Sequence, residues 1–337
     1  MRLVLLSAIL LASASEVAPQ FTPRAQESLR RTFEAKHDLV LEGFKQTVGD
    51  GETAQLPGGA RFVSSQRLVF DDEVGAVEAG RPLSLRRRFI SLETGGDLAP
   101  PEVEGVIKAT ATSPLVGASV LYTWVPEEQE YGRFYDAREE NEELLPGTAA
   151  DPFLAFLQPP SPEAASWEVP ASELLGLLAP GGDLGFAPGE EREGRRMSRT
   201  LVNGVGGGLE MAFGGDSEGS LRVSRGSAET DEAGTVWPTL RLSLDGRWRS
   251  TVTDRLNATL LGREQEQGSS FEHGSLTLGV TGTGTIRLDP ETGRPRSLSL
   301  ECVEDVSMRI VEVLPGGVRF RQEMAMRGRL SITHEVR

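Results

Sequence analysis

Strict alternation of apolar and polar residues in the C-terminal half is the feature that most constrains the fold of this chain. Leu240, Leu242 and Leu244 share one parity, and Arg241 and Ser243 take the other. The same period returns downstream, with apolar members Leu276, Leu278, Val280, Ile286 and Leu288, then Val306, Met308 and Ile310, then Val318, Phe320, Met324, Met326, Leu330 and Ile332. A period of two places alternate side chains on opposite faces of a strand. These segments therefore predict an antiparallel sheet with one face toward water.

The N-terminal half carries the same signal more weakly, at 32–43, 61–70, 83–92, 103–111 and 119–125. Thr22-Pro23 predicts a short helix at 23–31, because Thr caps helices and Pro fits the first helical position. Two more short helices are predicted at 149–157 and 171–178. The predicted fold class is mainly β (α+β): a curved antiparallel sheet, barrel-like or half-barrel-like, with a few short helices that cap or fill its concave side. A two-sheet sandwich ranks second.

The first residues predict export. Met1-Arg2 precedes an apolar run at 3–11 and the small residues Ala12-Ser13-Ala14. This pattern is typical of a secretory signal peptide, here 1–14, and it is too short for a membrane span of about 20 residues. The mature chain is expected in the periplasm or outside the cell, with no transmembrane segment. It divides into an N-terminal β-rich half at 15–160 and a C-terminal antiparallel half at 161–337, or forms one continuous domain.

Charge and cysteine content restrict the partners and the source of stability. The formal net charge is −15, which opposes binding to nucleic acid and to anionic lipid surfaces. Cys302 is the single cysteine, so no disulfide can form within the chain. Stability must therefore come from burial in a core, which a chain of this length can build.

A set of phrases spread over most of the mature chain resembles an uncharacterised family of exported bacterial proteins. Its most specific part is Trp167-Glu168-Val169 followed by Leu177-Leu178-Ala179-Pro180-Gly181-Gly182-Asp183-Leu184. The other phrases are 78–83, 86–89, 113–117, 121–124, 284–289 and 293–294. The resemblance implies no activity, ligand or catalytic residue. At the level of fold, the chain also resembles bacterial envelope proteins whose curved sheet holds a lipid or a lipoprotein chain.

Gly215-Asp216-Ser217-Glu218-Gly219 fits the G-x-S-x-G pattern of serine hydrolases. A nucleophile elbow leads from a strand into a helix, but residues 220–225 alternate as a strand. The pattern therefore predicts a hairpin loop at 214–219, between strands at 209–213 and 221–224. None of the three histidines stands in a phrase typical of a catalytic triad.

No catalytic, cofactor-binding or metal-ligating residue is predicted. His37, His273, His334 and Cys302 have no zinc spacing, and the acidic run at 127–143 lacks a calcium-loop pattern. Parity places His334 with the apolar residues near the end of the sheet. It also places Arg87 on the apolar face, where a buried guanidinium would need an acidic partner.

Three hypotheses of function follow. The first is a non-catalytic binding or carrier protein of the cell envelope, whose curved sheet holds an apolar ligand or a segment of an envelope protein. Met308, Met324 and Met326 are expected to face inward, either as core packing, which ranks first, or as adaptable lining for the ligand. The second is a secreted hydrolase that uses Ser217 or a pair of carboxylates. The third is a structural or interaction protein of an extracellular assembly.

Overall fold

The structure is a computed structural model. It describes residues 23–337 except 52, 57, 79–80, 100–106, 114, 129, 137–142, 147–158, 162, 181–186, 189–214 and 260–267. The predicted signal peptide, the predicted helix at 149–157 and the predicted strand at 209–213 lie outside the described residues.

Nearly all regular structure in the described residues is β. The strands are β1 (Ser28–Val48), β2 (Thr53–Leu56), β3 (Arg61–Val74), β4 (Val77–Glu78), β5 (Arg81–Pro82), β6 (Ser84–Ala99), β7 (Ile107–Thr112), β8 (Ser119–Val125), β9 (Glu130–Tyr135), β10 (Glu143–Pro146), β11 (Ser166–Pro170), β12 (Ala187–Pro188), β13 (Asp216–Arg225), β14 (Glu229–Thr230), β15 (Val236–Trp237), β16 (Thr239–Thr251), β17 (Ser270–Leu288), β18 (Pro295–Val313) and β19 (Arg319–Val336). A 3₁₀ turn (Ala171–Glu173), α1 (Leu175–Leu178) and α2 (Thr253–Thr259) are the helical elements of this described part.

One large antiparallel sheet joins both halves of the chain. Its strand order is β10-β9-β8-β6-β3-β1-β19-β18-β17-β16-β13-β11, with β2 beside β1, β7 beside β6, and β12 beside β7. The first strand pairs with the last one, from Arg31 opposite Val336 to Val48 opposite Phe320. Among the described strands the sheet is not closed. The predicted fold class is therefore confirmed.

The two faces of the sheet differ as the alternation predicts. In β16, β17 and β18, every second side chain is buried over most of the strand, and the residues between them face solvent. The buried side chains of both halves, from Phe33 in β1 to Trp248 in β16, belong to one hydrophobic core. We call the side of the sheet that carries this core the inner face.

The short helical segment after β11 lies on the inner face and shows that the sheet is curved. Trp248 in β16 donates its indole N–H to the carbonyl of Ala171 at 3.3 Å, and Arg87 in β6 donates to the carbonyl of Pro180 at 2.9 Å. In a flat sheet, the six strand spacings between β6 and β16 would span about 29 Å. Ten residues that are mostly helical span less than roughly 20 Å. The two sides of the sheet must therefore bend toward each other around this segment.

The helix predictions had mixed outcomes. The helix at 171–178 is present as the 3₁₀ turn followed by α1, and Leu174 and Leu177 are buried in the core. The helix at 23–31 was wrong, because β1 already begins at Ser28. Leu29 and Arg31 alternate with exposed neighbours and pair with β3. Pairing with a neighbouring strand outweighs a local capping signal that satisfies only the first turn of a helix.

Candidate functional site

The candidate site lies on the inner face of three neighbouring strands, β1, β19 and β18. Side chains in four successive rows across these strands change from buried and partly polar to half-buried and apolar. The rows are His37–Leu330–Cys302, Leu39–Gly328–Glu304, Leu41–Met326–Val306 and Phe44–Met324–Met308. Successive rows lie about 7 Å apart, because two strand residues span that length.

The last two rows form an apolar surface that the core covers only in part. We call Leu41, Phe44, Met308, Met324 and Met326 the methionine patch. Met326 is buried, Leu41, Met308 and Met324 are partly buried against the core, and Phe44 is half-buried. A register shift between Leu41 and Gly43 brings Phe44 to the same face as Met324. Such a bulge is needed because Leu41 and Phe44 have opposite parity.

Glu304 places a carboxylate beside the methionine patch. It shares the parity of Cys302 and Val306, and its side chain has 0% exposure. Oε2 and Nδ1 of His37 are hydrogen-bonded at 2.8 Å. Oε1 is buried and has no hydrogen-bond partner among the described residues.

Gly328 lies in the strand that separates His37 from Glu304. Their strands are two spacings apart, about 9.6 Å, with β19 between them. A Cβ on Gly328 would lie 1.9 Å from the carbonyl oxygen of Asp38 and 2.8 Å from the Cα of Leu39. This position therefore requires glycine.

Cys302 follows Glu304 on the inner face, one row deeper. Burial, and secondarily the charges of Glu304 and Glu301, raise the pKa of its thiol to about 12. The side chain is thus an uncharged thiol at neutral pH, and the thiolate that would act as a nucleophile is absent.

A second polar group lies deeper on the inner face, and we call it the arginine cluster: Arg31, Asp72, Arg87 and His334. Both guanidiniums and the carboxylate are almost fully buried. Asp72 accepts hydrogen bonds from Arg31 NH1 at 2.8 Å and from Arg87 Nε and NH2 at 2.8 and 2.9 Å. Both guanidiniums also lie over the ring of Phe70, at 5.2 and 4.3 Å from its centroid.

His334 belongs to the arginine cluster as a neutral side chain. Arg31 Nε donates to His334 Nε2 at 3.3 Å. Burial, followed by the charges of Arg31 and Arg87, lowers the pKa of His334 well below its usual value. Since Arg87 also holds the carbonyl of Pro180, the cluster fixes the helical segment to the sheet. Its described contacts are structural.

The structure places several of the residues singled out in the sequence. Arg87 is buried with an acidic partner, and His334 faces inward, as predicted. Met308, Met324 and Met326 also face inward. Sequence reasoning missed Asp72 and Glu304, although parity could have found both. Each carboxylate takes the place of an apolar side chain in an alternating strand.

Ser217 does not lie in a loop, so the predicted hairpin loop at 214–219 was wrong from Asp216 onward. It stands within β13, directly opposite Trp248 of β16. Two of the three histidines are held by Glu304 and by Arg31. Trp248, which lies opposite Ser217, pairs on its other side with Leu278 of β17, and His273 lies five residues from Leu278 along β17. That separation is about 17 Å along a strand, so Ser217 has no triad arrangement.

The outer face of the same strands is charged and meets water. Ion pairs join the neighbouring strands β1 and β3 (Arg30 with Asp71, Arg61 with Asp38, Arg67 with Glu34), and Arg319 of β19 pairs with Glu272 of β17. These pairs are exposed or half-exposed to solvent, and such pairs contribute little to stability. The apolar surface of these strands is therefore the inner face.

Two searches were negative within the part of the chain that the structure describes. No group of three or more His, Cys, Asp or Glu side chains there is arranged to hold a metal ion. None of the helices described is long and apolar enough to cross a membrane.

Comparisons with known proteins add little. No protein-family model matches the chain, and no curated protein matches it. Among solved structures, the chain is similar to an outer membrane channel from Pseudomonas putida F1, with 7% sequence identity and a TM-score of 0.25 over 94% of this chain and 98% of that one. A likeness of this size identifies neither a family nor a function.

Proposed function

We propose that this protein is an exported, non-catalytic carrier of the bacterial cell envelope that holds an apolar or amphipathic ligand on the inner face of its sheet. The observation that carries the proposal is the methionine patch. It continues the core surface of β1, β19 and β18, and apart from the buried Met326 its side chains stay half-buried toward the end of these strands.

The chemistry of the patch suits a binding surface. Methionine has three rotatable bonds and a polarizable sulfur, so its side chain adapts to irregular apolar partners. These side chains are already partly covered by the core, so a ligand gains from covering only the apolar area that remains exposed, at about 25 cal/mol per Å².

The hydrolase hypothesis receives no support from the described residues. Ser217 lies within a strand opposite a buried tryptophan, and Cys302 is an uncharged buried thiol. A carrier needs neither a nucleophile nor a base, whereas it does need an apolar surface that the core does not cover completely.

A fluorescence titration with N-phenyl-1-naphthylamine, an uncharged apolar dye, tests the proposal. The mature protein is expected to bind the dye with enhanced fluorescence. Met324→Lys is expected to weaken binding by roughly tenfold or more, because it removes apolar contact and places a charge in the patch. Ala325→Lys is the matched control, since Ala325 is the next residue of β19 and faces the other side. Absence of dye binding, or equal effects of both variants, would contradict the proposal.

A further inference from the structure

Glu304 indicates what kind of ligand the proposed carrier takes. We propose that the ligand is an amphipathic amine, with a protonated primary amino group held by Glu304 and an alkyl chain on the methionine patch. The inference rests on the proposed function, and it names the ligand class for the same site.

Glu304 has hydrogen-bonding capacity that its described neighbours do not use. It is fully buried; its Oε2 is hydrogen-bonded to His37, and its Oε1 has no partner among the described residues. A buried oxygen without a hydrogen bond is costly. An N–H donor on a ligand would satisfy Oε1, and a charged donor would form a stronger bond than a neutral one.

Glu304 lies on the same face as the methionine patch. Val306 and Met308 follow Glu304 on the same face of β18, and Met326 and Met324 run beside them on β19. The outer row of the patch lies about 14 Å from Glu304 along the strand. A molecule with an amino group at Glu304 would thus direct its chain toward the patch. Val306 and Met326 lie between Glu304 and the outer row and are buried, so the chain enters only when side chains of the patch move, which the flexible methionines allow.

A buried carboxylate should discriminate between the head groups of otherwise similar ligands. A primary ammonium has three N–H donors and a positive charge, so it complements a buried carboxylate in both respects. A fatty acid would bring a second carboxylate next to Glu304, and like charges at short distance repel. An alcohol can donate one hydrogen bond but carries no charge. The order of affinity expected is amine, then alcohol, then acid.

Displacement of bound N-phenyl-1-naphthylamine by molecules of equal chain length tests this order. The probes are dodecylamine, dodecanol, dodecanoic acid and dodecyltrimethylammonium, each used below the concentration at which it forms micelles. Wild-type protein is expected to bind dodecylamine at least tenfold more tightly than dodecanol. Dodecyltrimethylammonium, which has the charge but no N–H donor, is expected to bind at least tenfold more weakly than dodecylamine.

Glu304→Gln assigns the effect to this side chain. The variant is expected to bind dodecylamine and dodecanol within about threefold of each other, through a loss of affinity for dodecylamine. Glu301→Gln is the matched control, since Glu301 lies on the exposed face of the same strand and its loss of charge is identical. If Glu304→Gln does not fold, the comparison of the four probes on wild-type protein still decides the question.

The outcomes separate the two proposals. If dodecanol binds as tightly as dodecylamine to wild-type protein, the amine inference is overturned and the carrier function stands. If Glu304→Gln keeps the wild-type preference for the amine, Glu304 is not the anchor and the inference is likewise overturned. If neither the dye nor any of the four probes binds, the carrier function fails, and the inference fails with it.

Discussion

Replacing Asp72 by asparagine is expected to destabilise the protein far more than the same change at Asp71. The two carboxylates are neighbours in β3, and each is bonded to arginine by two or more hydrogen bonds. They differ in burial. The side chains of Asp72 and its two arginines are at most 1% exposed, whereas Asp71 is 35% and Arg30 is 56% exposed.

The expected magnitude follows from this difference in burial. Asparagine at 72 would turn one acceptor oxygen into an N–H₂ group that faces the donors of Arg31 and Arg87, and it would remove the charge that compensates them. Breaking a buried ion pair costs about 3–5 kcal/mol. Removing an exposed pair costs about 0–1 kcal/mol. Since the free energy of unfolding of a typical protein is about 5–15 kcal/mol, Asp72→Asn should remove a large part of it.

Urea unfolding followed by tryptophan fluorescence measures both variants. The urea midpoint and the slope of each transition give the change in the free energy of unfolding. Asp71→Asn is expected within about 1 kcal/mol of wild type, and Asp72→Asn at least about 3 kcal/mol below it. Equal effects of the two substitutions, or a cost below about 1 kcal/mol for Asp72→Asn, would refute the role given to burial in the arginine cluster.

Three further predictions follow from single side chains. His334 stays neutral in the folded protein because its pKa is lowered. The free energy of unfolding should therefore fall as the pH drops below about 6.5, by up to about 1.4 kcal/mol per pH unit. Urea midpoints across this range should decline less steeply in His334→Gln than in wild type, and an equal decline would contradict this role of His334. Cys302, with a pKa near 12, should not react with a thiol reagent at pH 8 until urea unfolds the protein, and rapid reaction of native protein would contradict its burial. In Gly328→Ala the new Cβ would lie 1.9 Å from a backbone oxygen, so this variant should lose about 1–3 kcal/mol of stability and melt at a lower temperature. Gly279→Ala is the control, because the nearest atoms to its Cβ are 3.9 Å away. Similar melting temperatures for the two variants would disprove the close approach at Gly328.

Alternation in the C-terminal strands was sufficient to predict the fold class. In β16 and β18 one face is buried and the other is wet, so the apolar period of two directly reports the orientation of each side chain. Parity also placed Arg87 and His334 inside. These predictions needed no knowledge of which strands are neighbours.

Pairing between distant strands could not be predicted in the same way. His37 and Glu304 are 267 residues apart in the sequence, and they meet only because the first strand pairs with the last. No local pattern specifies that pairing. Asp72 and Arg87 are 15 residues apart, and they lie opposite each other in β3 and β6. Parity of Asp72 with Phe70 and Val74 was a usable signal for that contact.

Local signals failed where tertiary pairing opposed them. The cap and proline at 22–23 predicted a helix, but β1 gains cross-strand pairing with β3 and β19 along its length. Similarly, the glycines on either side of Ser217 predicted a loop. Gly219 instead lies within β13, with a positive φ of 94° and its place opposite Gly246 retained. Glycine can adopt this φ without a break in the strand.

Native mass spectrometry of the mature protein, exported by its host and purified without detergent, is the most direct test of the carrier function. The account predicts a reproducible extra mass that N-phenyl-1-naphthylamine displaces, that Met324→Lys reduces, and that an organic extract identifies as an apolar or amphipathic compound. A bare polypeptide mass for wild-type protein, together with no uptake of the added dye, would contradict it.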